Sequence, residues 1–141
     1  MTHNVLVLDA NILIRAVLGK KVRELLFKHN ATVNFFTPDV CVEDAQKYLP
    51  RLFEKRSMPY EPALEALSHL KSIIQVVDES IYQAYQIEAK KRLNNRDLFD
   101  WPIVATAFAL NSAIWTEDQD FFGTGWPIWT TDRIHIFFES L

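Results

Sequence analysis

The chain of 141 residues is 49% hydrophobic and 23% charged, with a formal net charge of -3. This composition is typical of one globular domain, residues 1–141, with a sizeable core, and it excludes a disordered chain. The slightly acidic balance gives no global signature of nucleic-acid binding, so a polyanionic partner would have to be held by local basic residues or by metal ions.

Short apolar runs alternate with helical patterns along the chain. The predicted strands are residues 5–8, 33–36, 73–77, 113–116 and 127–130. The predicted helices are residues 11–30, a segment opened by 37–39, and residues 61–70, 80–93 and 103–110, with a turn at 94–96 before the last of these. Strands that alternate with helices indicate an α/β fold with a mainly parallel sheet covered by helices.

Several boundaries depend on single residues. We expect Gly19 to break or bend the first helix, and Pro50 to kink the second or to begin a new one. Ser80 has the character of a helix cap. Near the C-terminus, Thr131-Asp132 would cap a last helix, although the apolar alternation over 134–138 also fits a strand.

Acidic residues collect where the ends of the predicted strands meet. Asp9 ends the first strand, Asp118 follows the fourth, and Glu43 lies about one turn into the helix after the second. Asp97 and Asp100 precede the helix that leads into the fourth strand. In open α/β sheets, ligands bind outside the carboxyl ends of the strands. Clustered carboxylates repel and take up protons unless a cation joins them, and oxygen ligands suit Mg²⁺ or Mn²⁺ rather than zinc.

Each of these acids also has an ordinary structural explanation. Asp9 and Asp100 could cap helices, and Asp97 and Asp118 could be turn residues. Glu43 could belong to a solvated helix surface. The metal-site hypothesis therefore depends on the shared placement of the acids at one edge, and not on any single residue.

Three segments carry a family resemblance. VLVLDANILI at 5–14 matches an opening strand with its first acid, and TPDVCVED at 37–44 matches a segment with a helical glutamate. RDLFDWPIVATAFALNSAIWTEDQDFF at 96–122 matches an Asp-x-x-apolar-x-Ala-x-Ala helix followed by a strand and a Thr-x-Asp-x-Asp-Phe turn. Together they resemble the PIN domain, a family of metal-dependent nucleases. The resemblance implies a three-layer sandwich, with a mainly parallel sheet of four or five strands and helices on both faces.

The resemblance also implies roles for individual residues. The catalytic acids would be Asp9, Glu43, Asp100 and Asp118, and the metal ligands would be Asp9, Asp100, Asp118 and Asp120. Asp100 is preferred to Asp97 because its spacing to Ala105 and Ala107 fits the family helix, although Trp101-Pro102 departs from the residues usual there. The supporting residues would be Asn11, Asp97 and Thr116, with Asn11 orienting the first carboxylate or a metal-bound water.

The implied activity is hydrolysis of RNA phosphodiester bonds with one or two Mg²⁺ or Mn²⁺ ions, most simply as an endoribonuclease. The predicted phosphate contacts are Arg15, Lys20, Lys21 and Arg96, with Arg23, Lys47, Arg51, Lys55 and Arg56 as further candidates. Trp115 and Trp126 could stack on bases, although tryptophans next to strands usually belong to the core. Size and family together suggest the toxin of a toxin–antitoxin pair, with RNA as substrate, an antitoxin protein as partner and a homodimer as the assembly.

Other functions remain open on the sequence alone. A haloacid-dehalogenase-like phosphatase would need a second Asp where Asn11 stands, and a receiver domain would need an acidic pair beside Asp9. A non-catalytic PIN-like scaffold or RNA-binding subunit need not keep a full set of acids.

The cellular location follows from composition. Cys41 is the single cysteine, so an internal disulfide is excluded and a reducing, cytoplasmic location is expected. We expect no membrane span, because no apolar run reaches the ~18 residues that a span needs. Residues 1–4 lack the basic region of a signal peptide.

Overall fold

The computed structural model describes residues 4–94 and 96–141, so Asn95 of the predicted turn lies outside the described residues. The strands are β1 (Val5–Leu8), β2 (Asn34–Pro38), β3 (Ile74–Val77), β4 (Ala113–Trp115) and β5 (Ile128–Trp129). The helices are α1 (Ala10–Leu18), α2 (Lys21–His29), α3 (Asp39–Lys55), α4 (Glu61–Leu70), α5 (Glu79–Tyr82), α6 (Gln86–Leu93), α7 (Trp101–Leu110) and α8 (Ile134–Glu139). Single 3₁₀ turns cover Gln83–Tyr85, Leu98–Asp100 and Gln119–Phe121.

The five strands form one sheet in the order β3–β2–β1–β4–β5, and all four pairings are parallel. The chain builds outward from β1 to β3 and then returns to the other side of β1 with β4. The strand order therefore reverses between β1 and β4, which is where open α/β sheets bind their ligands. The predicted α/β fold with a mainly parallel sheet is confirmed, with five strands.

Two groups of helices cover the sheet. One group is α1 with α2, α3 and α4, and the other is α7 with α5 and α6. Leu6, Val7 and Leu8 of β1 are all fully buried, although successive strand residues point to opposite faces. Both faces of the central strand are therefore covered, which explains why it is a continuous apolar run. The long helix α7 lies in the interior, with every residue from Pro102 to Ala107 buried.

Three predictions about the middle of the chain need correction. The cap before α5 is Asp78 and not Ser80, because the Asp78 carboxylate accepts from the Ser80 N–H at 2.9 Å. The helix predicted over 80–93 is interrupted by the 3₁₀ turn at Gln83–Tyr85. Of the two alternatives for Pro50, the start of a new helix is wrong, because α3 continues through it, and the kink stays a prediction. The predicted break at Gly19 is confirmed, since α1 ends at Leu18.

The C-terminal segment is a helix, and the strand alternative is wrong. Ile134, Phe137 and Phe138 of α8 are buried at helical spacing, whereas Ile136 is 42% exposed. The predicted Thr131-Asp132 cap is also wrong. Arg133 precedes α8 without a capping side chain, and Asp132 accepts a hydrogen bond from the Thr130 hydroxyl instead.

No helix within the described ranges combines the length and the apolar character needed to cross a bilayer.

Two hydrogen bonds to one carboxylate fix α5 to the start of α3. The fully buried Tyr82 donates its hydroxyl to Asp39 Oδ1 at 2.6 Å, and the Glu79 N–H donates to Asp39 Oδ2 at 3.1 Å. The burial of Tyr82 and its bond to Asp39 raise the pKa of the phenol far above its usual range, so the hydroxyl remains a donor. One carboxylate therefore holds together elements that are 40 residues apart in the chain.

Replacing Tyr82 by Phe should therefore destabilise the fold without changing the shape of the core. We expect a loss of about 1.5–3 kcal/mol in the free energy of unfolding, the usual contribution of a hydrogen bond to a charged group. Urea unfolding would measure the loss. Tyr48→Phe is the matched control, because Tyr48 is 46% exposed. Equal stability of the two variants would contradict the assignment.

Candidate metal centre

The pairing of β1 with β4 brings two functional side chains together. Leu8 lies opposite Trp115, and the Asp9 N–H donates to the Trp115 carbonyl at 3.1 Å. Thr116, which directly follows β4, therefore lies beside Asp9. Its hydroxyl donates to Asp9 Oδ2 at 2.8 Å. Thr116 is fully buried.

The Asp9 carboxylate is held by donors from several elements. The Ala10 N–H donates to Oδ1 at 2.7 Å, so Asp9 also caps α1. The Asn11 side-chain amide donates to Oδ2 at 3.1 Å and to the Thr116 hydroxyl at 3.2 Å. The buried Cys41 thiol lies 3.9 Å from Oδ1. These bonds compensate for the burial of Asp9, which is only 8% exposed.

Three further acids converge next to Asp9. Asp100, Asp118 and Asp120 each offer a carboxylate oxygen, and these oxygens all lie within 4.8 Å of one another. Among the described residues, Asp9 is not a member of that group. Asp100 comes from the 3₁₀ turn before α7, and the other two come from the loop after β4.

Asp100 differs from Asp97 and Asp118 in having a buried carboxylate oxygen without a hydrogen-bond partner among the described residues. Asp118 accepts from the Asp120 N–H at 2.9 Å, and Asp97 accepts from the Phe99 N–H at 3.0 Å, so both are turn residues as well as acids. Asp100 Oδ2 is buried and makes no hydrogen bond with any residue that the structure describes. A buried polar atom without a partner is costly, and a cation held by these acids could supply the missing interaction.

The electrostatics of the site agree with this assignment. Burial raises the pKa of Asp100 to about 7, and the charges of Asp9, Asp97, Asp118 and Asp120 add to the effect. Burial also raises the pKa of Asp9, against the hydrogen bonds from Thr116 and Ala10, and the charge of Asp118 raises it further. A divalent cation would relieve this repulsion. Because the donors are carboxylate oxygens, the site suits hard ions such as Mg²⁺ or Mn²⁺.

The predicted glutamate of α3 is not among the residues that the structure brings to the cluster. Glu43 and Asp44 are both exposed, and of the two only Asp44 is among the charges that raise the pKa of Asp9. Asp44 lies three residues after Cys41, so the two side chains share a face of α3. The role of Glu43 stays a prediction, and Asp44 is a candidate that the sequence analysis did not select.

Two arginines hold the loop that carries Asp118 and Asp120. Arg96 Nη1 donates to the Asp120 carbonyl at 2.9 Å and to the Phe122 carbonyl. Arg92 Nη1 donates to the Thr124 carbonyl at 3.3 Å. Arg96 therefore has a structural partner in this loop, and its contact with RNA stays a prediction.

Glycines allow these arginines to approach the loop. A Cβ at Gly123 would lie 2.7 Å from Arg96 Nη2, and a Cβ at Gly125 would lie 2.6 Å from Arg92 Nη1. Both glycines also have positive φ, +87° and +81°, which other residues rarely adopt.

Glu117 has a structural role that the sequence did not reveal. Its carboxylate accepts from the Thr131 N–H at 2.7 Å and from the Thr131 hydroxyl, which in turn accepts from the Trp115 indole at 3.1 Å. The Glu117 N–H donates to Asn11 Oδ1 at 3.2 Å. Glu117 thus links the site to the segment before α8. Trp115 is fully buried, so the core position preferred for it is confirmed.

Three of the predicted phosphate contacts line a single cleft. Arg15, Lys20 and Lys21 lie around a cavity of about 470 Å³ between α1 and α2, and Arg56 joins them. Thr131, the partner of Glu117, is also part of the lining. No carboxylate belongs to the described lining of this cleft, so it is a cationic surface near the acidic site.

The arrangement can now be compared with known proteins. A family model described as the PIN domain matches residues 7–139. The chain belongs to the PIN domain family. A comparison with curated protein sequences found no match.

Solved structures share this fold. The crystal structure of VapBC2 from Rickettsia felis, bound to a DNA fragment from its promoter, matches with a TM-score of 0.69 and 16% identity over 89% of this chain and 98% of that chain. PAE2754 from Pyrobaculum aerophilum matches with a TM-score of 0.69 and 14% identity over 96% and 90%. FitAB bound to an IR36 DNA fragment matches with a TM-score of 0.56 and 16% identity over 89% and 94%.

The raised pKa of Asp100 makes the stability of this PIN domain depend on pH. Because the folded chain binds the Asp100 proton more tightly than the unfolded chain, the contribution is favourable below about pH 4. It is lost as the pH rises through about 7. In EDTA at pH 8, Asp100→Asn should therefore raise the melting temperature by about 3 °C, allowing for solvent screening.

The gain from Asp100→Asn should disappear near pH 4, and Mn²⁺ at pH 8 should stabilise the wild type more than the variant. Thermal unfolding of both proteins would be measured in all three conditions. Glu65→Gln, an exposed acid on α4, is the control. A gain of the same size at both pH values would contradict the explanation.

Gly123→Ala should weaken metal binding through the loop. The new Cβ would displace Arg96 from its carbonyl partners, and the positive φ would add strain of about 1–3 kcal/mol. We expect a lower free energy of unfolding and a weaker Mn²⁺ affinity in isothermal titration calorimetry.

Gly19→Ala is the matched control, because the nearest atom to its Cβ would be the Arg15 carbonyl oxygen at 3.4 Å. Wild-type Mn²⁺ affinity in Gly123→Ala would show that the loop does not position the ligands.

Proposed function

We propose that this PIN domain is a Mg²⁺- or Mn²⁺-dependent ribonuclease that hydrolyses phosphodiester bonds, most simply as an endonuclease. The observation that carries the proposal is the group of Asp100, Asp118 and Asp120, in which a buried oxygen of Asp100 lacks a partner. A site of this kind is expected to be unfavourable until a cation neutralises it. Membership of a nuclease family supports phosphodiester cleavage as its chemistry.

Each residue of the acidic site would have a distinct role. Asp100, Asp118 and Asp120 would hold the ion, and Asp9 would complete the anionic wall beside them. Thr116 and Asn11 would keep the Asp9 carboxylate in one orientation through the bonds described above. The ion supplies a bound water of lowered pKa and stabilises charge on the scissile phosphate. Asp100 must lose its proton before it can act as a ligand, so binding of the ion would release that proton and would weaken at acidic pH.

The cationic cleft supports a polyanionic substrate. Arg15 lies six residues after Asp9, which corresponds to about 9 Å along α1. Phosphates on one side of the cleavage site could therefore reach Arg15, Lys20 and Lys21 while the scissile phosphate lies at the acids. Binding through phosphates would depend strongly on salt and carry little sequence preference.

A toxin role is a proposal that depends on the similar structures. VapBC2 and FitAB were both solved bound to DNA fragments, a promoter fragment in the first case. Together with the family, these similarities support the toxin of a toxin–antitoxin pair, with an antitoxin as its partner. Ile81 of α5, an apolar residue that is 55% exposed, supports association of two copies.

The alternatives receive less support. In a haloacid-dehalogenase-like phosphatase the position of Asn11 would carry a second acid, whereas its amide here donates to Asp9 and Thr116. A non-catalytic scaffold has no need for an unpaired buried carboxylate oxygen at the strand edge.

Cleavage of a mixed RNA pool should require both the metal and the acids. Wild-type protein should cleave in Mg²⁺ or Mn²⁺ but not in EDTA, and Asp118→Asn should lose about 100-fold or more, since a metal contributes several kcal/mol. Asp44→Asn and Glu43→Gln, compared side by side, would identify the acid that α3 contributes. We expect the larger loss from Asp44→Asn, because the charge of Asp44 acts on Asp9.

Glu65→Gln serves again as the control for changing a surface charge. Equal cleavage by wild type and Asp118→Asn would assign the activity to a contaminant or to other residues. An absence of cleavage in every metal, with Mn²⁺ binding intact, would overturn the ribonuclease assignment and favour a scaffold.

A further inference from the structure

A phenylalanine next to the metal centre is almost fully exposed. Phe99 is 92% exposed, more than any other large hydrophobic residue that the structure describes. It directly precedes Asp100, and its N–H donates to Asp97 Oδ1 at 3.0 Å. The ring contributes nothing to the core, yet its backbone is fixed within the segment that supplies a carboxylate to the cluster.

A second exposed aromatic residue lies on the other acidic segment. Phe122 is 44% exposed and follows Asp120 by two residues, whereas Phe121 between them is fully buried. Arg96 donates to the carbonyls of Asp120 and Phe122, so it joins the two segments directly. Two exposed rings therefore belong to the two chain segments that meet at the acidic cluster.

Positive charge lies beside Phe99. Its neighbour Leu98 lines a cleft of about 450 Å³ together with Ile87, Lys90 and Lys91 of α6. Lys90 Nζ also lies 5.9 Å from the centre of the Trp101 ring. Exposed aromatic rings interleaved with lysines are the combination by which proteins hold single-stranded nucleic acid, since bases stack on the rings and phosphates meet the charges.

A second copy of the chain fits this surface less well. In a two-fold symmetric contact a patch meets the same patch. The surface around Phe99 would then bring the acids of the two copies, Asp97 and Asp100, toward each other. An RNA strand instead brings phosphates to the metal-neutralised acids and to the lysines, and it brings bases to the rings.

We propose that Phe99, together with Phe122, forms a base-stacking platform for unpaired nucleotides next to the scissile phosphate. The inference depends on the proposed ribonuclease function and specifies its substrate as RNA that is single-stranded at the cleavage site. Bases paired in a duplex are already stacked and cannot lie on the rings. Specificity for unpaired RNA thus comes from residues that adjoin the acids in the chain.

Binding of a labelled oligouridylate would test the platform. Ca²⁺ replaces Mg²⁺ in this measurement, to occupy oxygen ligands with looser geometry and to limit cleavage. Phe99→Ala should weaken binding by about 5- to 150-fold, the range for loss of one base stack. Phe99→Trp should bind at least as tightly as wild type, and Phe99→Leu should resemble Phe99→Ala.

Phe27→Ala is the matched control, because Phe27 is 46% exposed and lies in a separate cleft with Arg23 and His69. It should bind like wild type. The same oligouridylate annealed to oligoadenylate should bind wild type and Phe99→Ala equally. Unchanged binding in Phe99→Ala, full binding in Phe99→Leu, or an equal loss on the duplex would overturn the platform. A change of oligomeric state in sedimentation with unchanged RNA binding would identify a protein contact instead.

Cleavage in Mg²⁺, measured in parallel, separates this inference from the proposed function. If wild type cleaves RNA and Phe99→Ala has an unchanged KM, the platform fails and the ribonuclease stands. If wild type binds single strands through Phe99 but cleaves nothing, the platform stands and the ribonuclease fails. If wild type neither binds nor cleaves, both are overturned.

Discussion

The parallel pairing of β1 with β4 is the constraint on which the candidate site depends. It places Asp9 and Thr116 side by side at the point where the strand order reverses. Because the Asp9 carboxylate is buried, it requires donors, and those donors come from the start of α1, the end of β4 and α3. The bonds that make a buried charge tolerable therefore also fix the elements around it, so fold and site share the same interactions.

The acids at the strand edge fall into two groups, those with hydrogen-bond partners in the fold and one without. Asp9, Asp97 and Asp118 each accept a backbone N–H, as residues at helix starts and turns commonly do. The Glu117 carboxylate has a different partner, because it accepts a hydrogen bond from the Thr131 N–H. Asp100 is the exception, because no described residue donates to its buried oxygen. Hydrogen bonds within the fold account for most of the charge at this edge, and the unpartnered oxygen of Asp100 is the observation that supports the proposed metal site.

Much of the fold follows from local patterns, whereas the details of the site depend on distant contacts. The apolar runs and the acids that end them predicted the strands and the binding edge. Over Ile134–Phe138 the apolar residues fit both the two-residue period of a strand and the period of a helix. Only the burial of their side chains in the folded chain distinguishes the two. Glu43 and Asp44 are adjacent on α3, so their side chains point in directions about 100° apart around the helix axis. Choosing between them from the sequence requires knowing which face of α3 meets the site. The hydrogen bonds from Arg96 to the loop after β4 join residues distant in the sequence, and no local sequence pattern predicts them.

The glycines of the loop also limit how such a site can change over evolution. The chain has three glycines, and two of them, Gly123 and Gly125, lie where arginine side chains fill the space that a Cβ would need. This part of the loop cannot acquire new side chains without losing its support. Homologues that diverge in the RNA they recognise would therefore be expected to vary at exposed positions around the acids, such as 99 and 122, while the interior of the loop stays invariant.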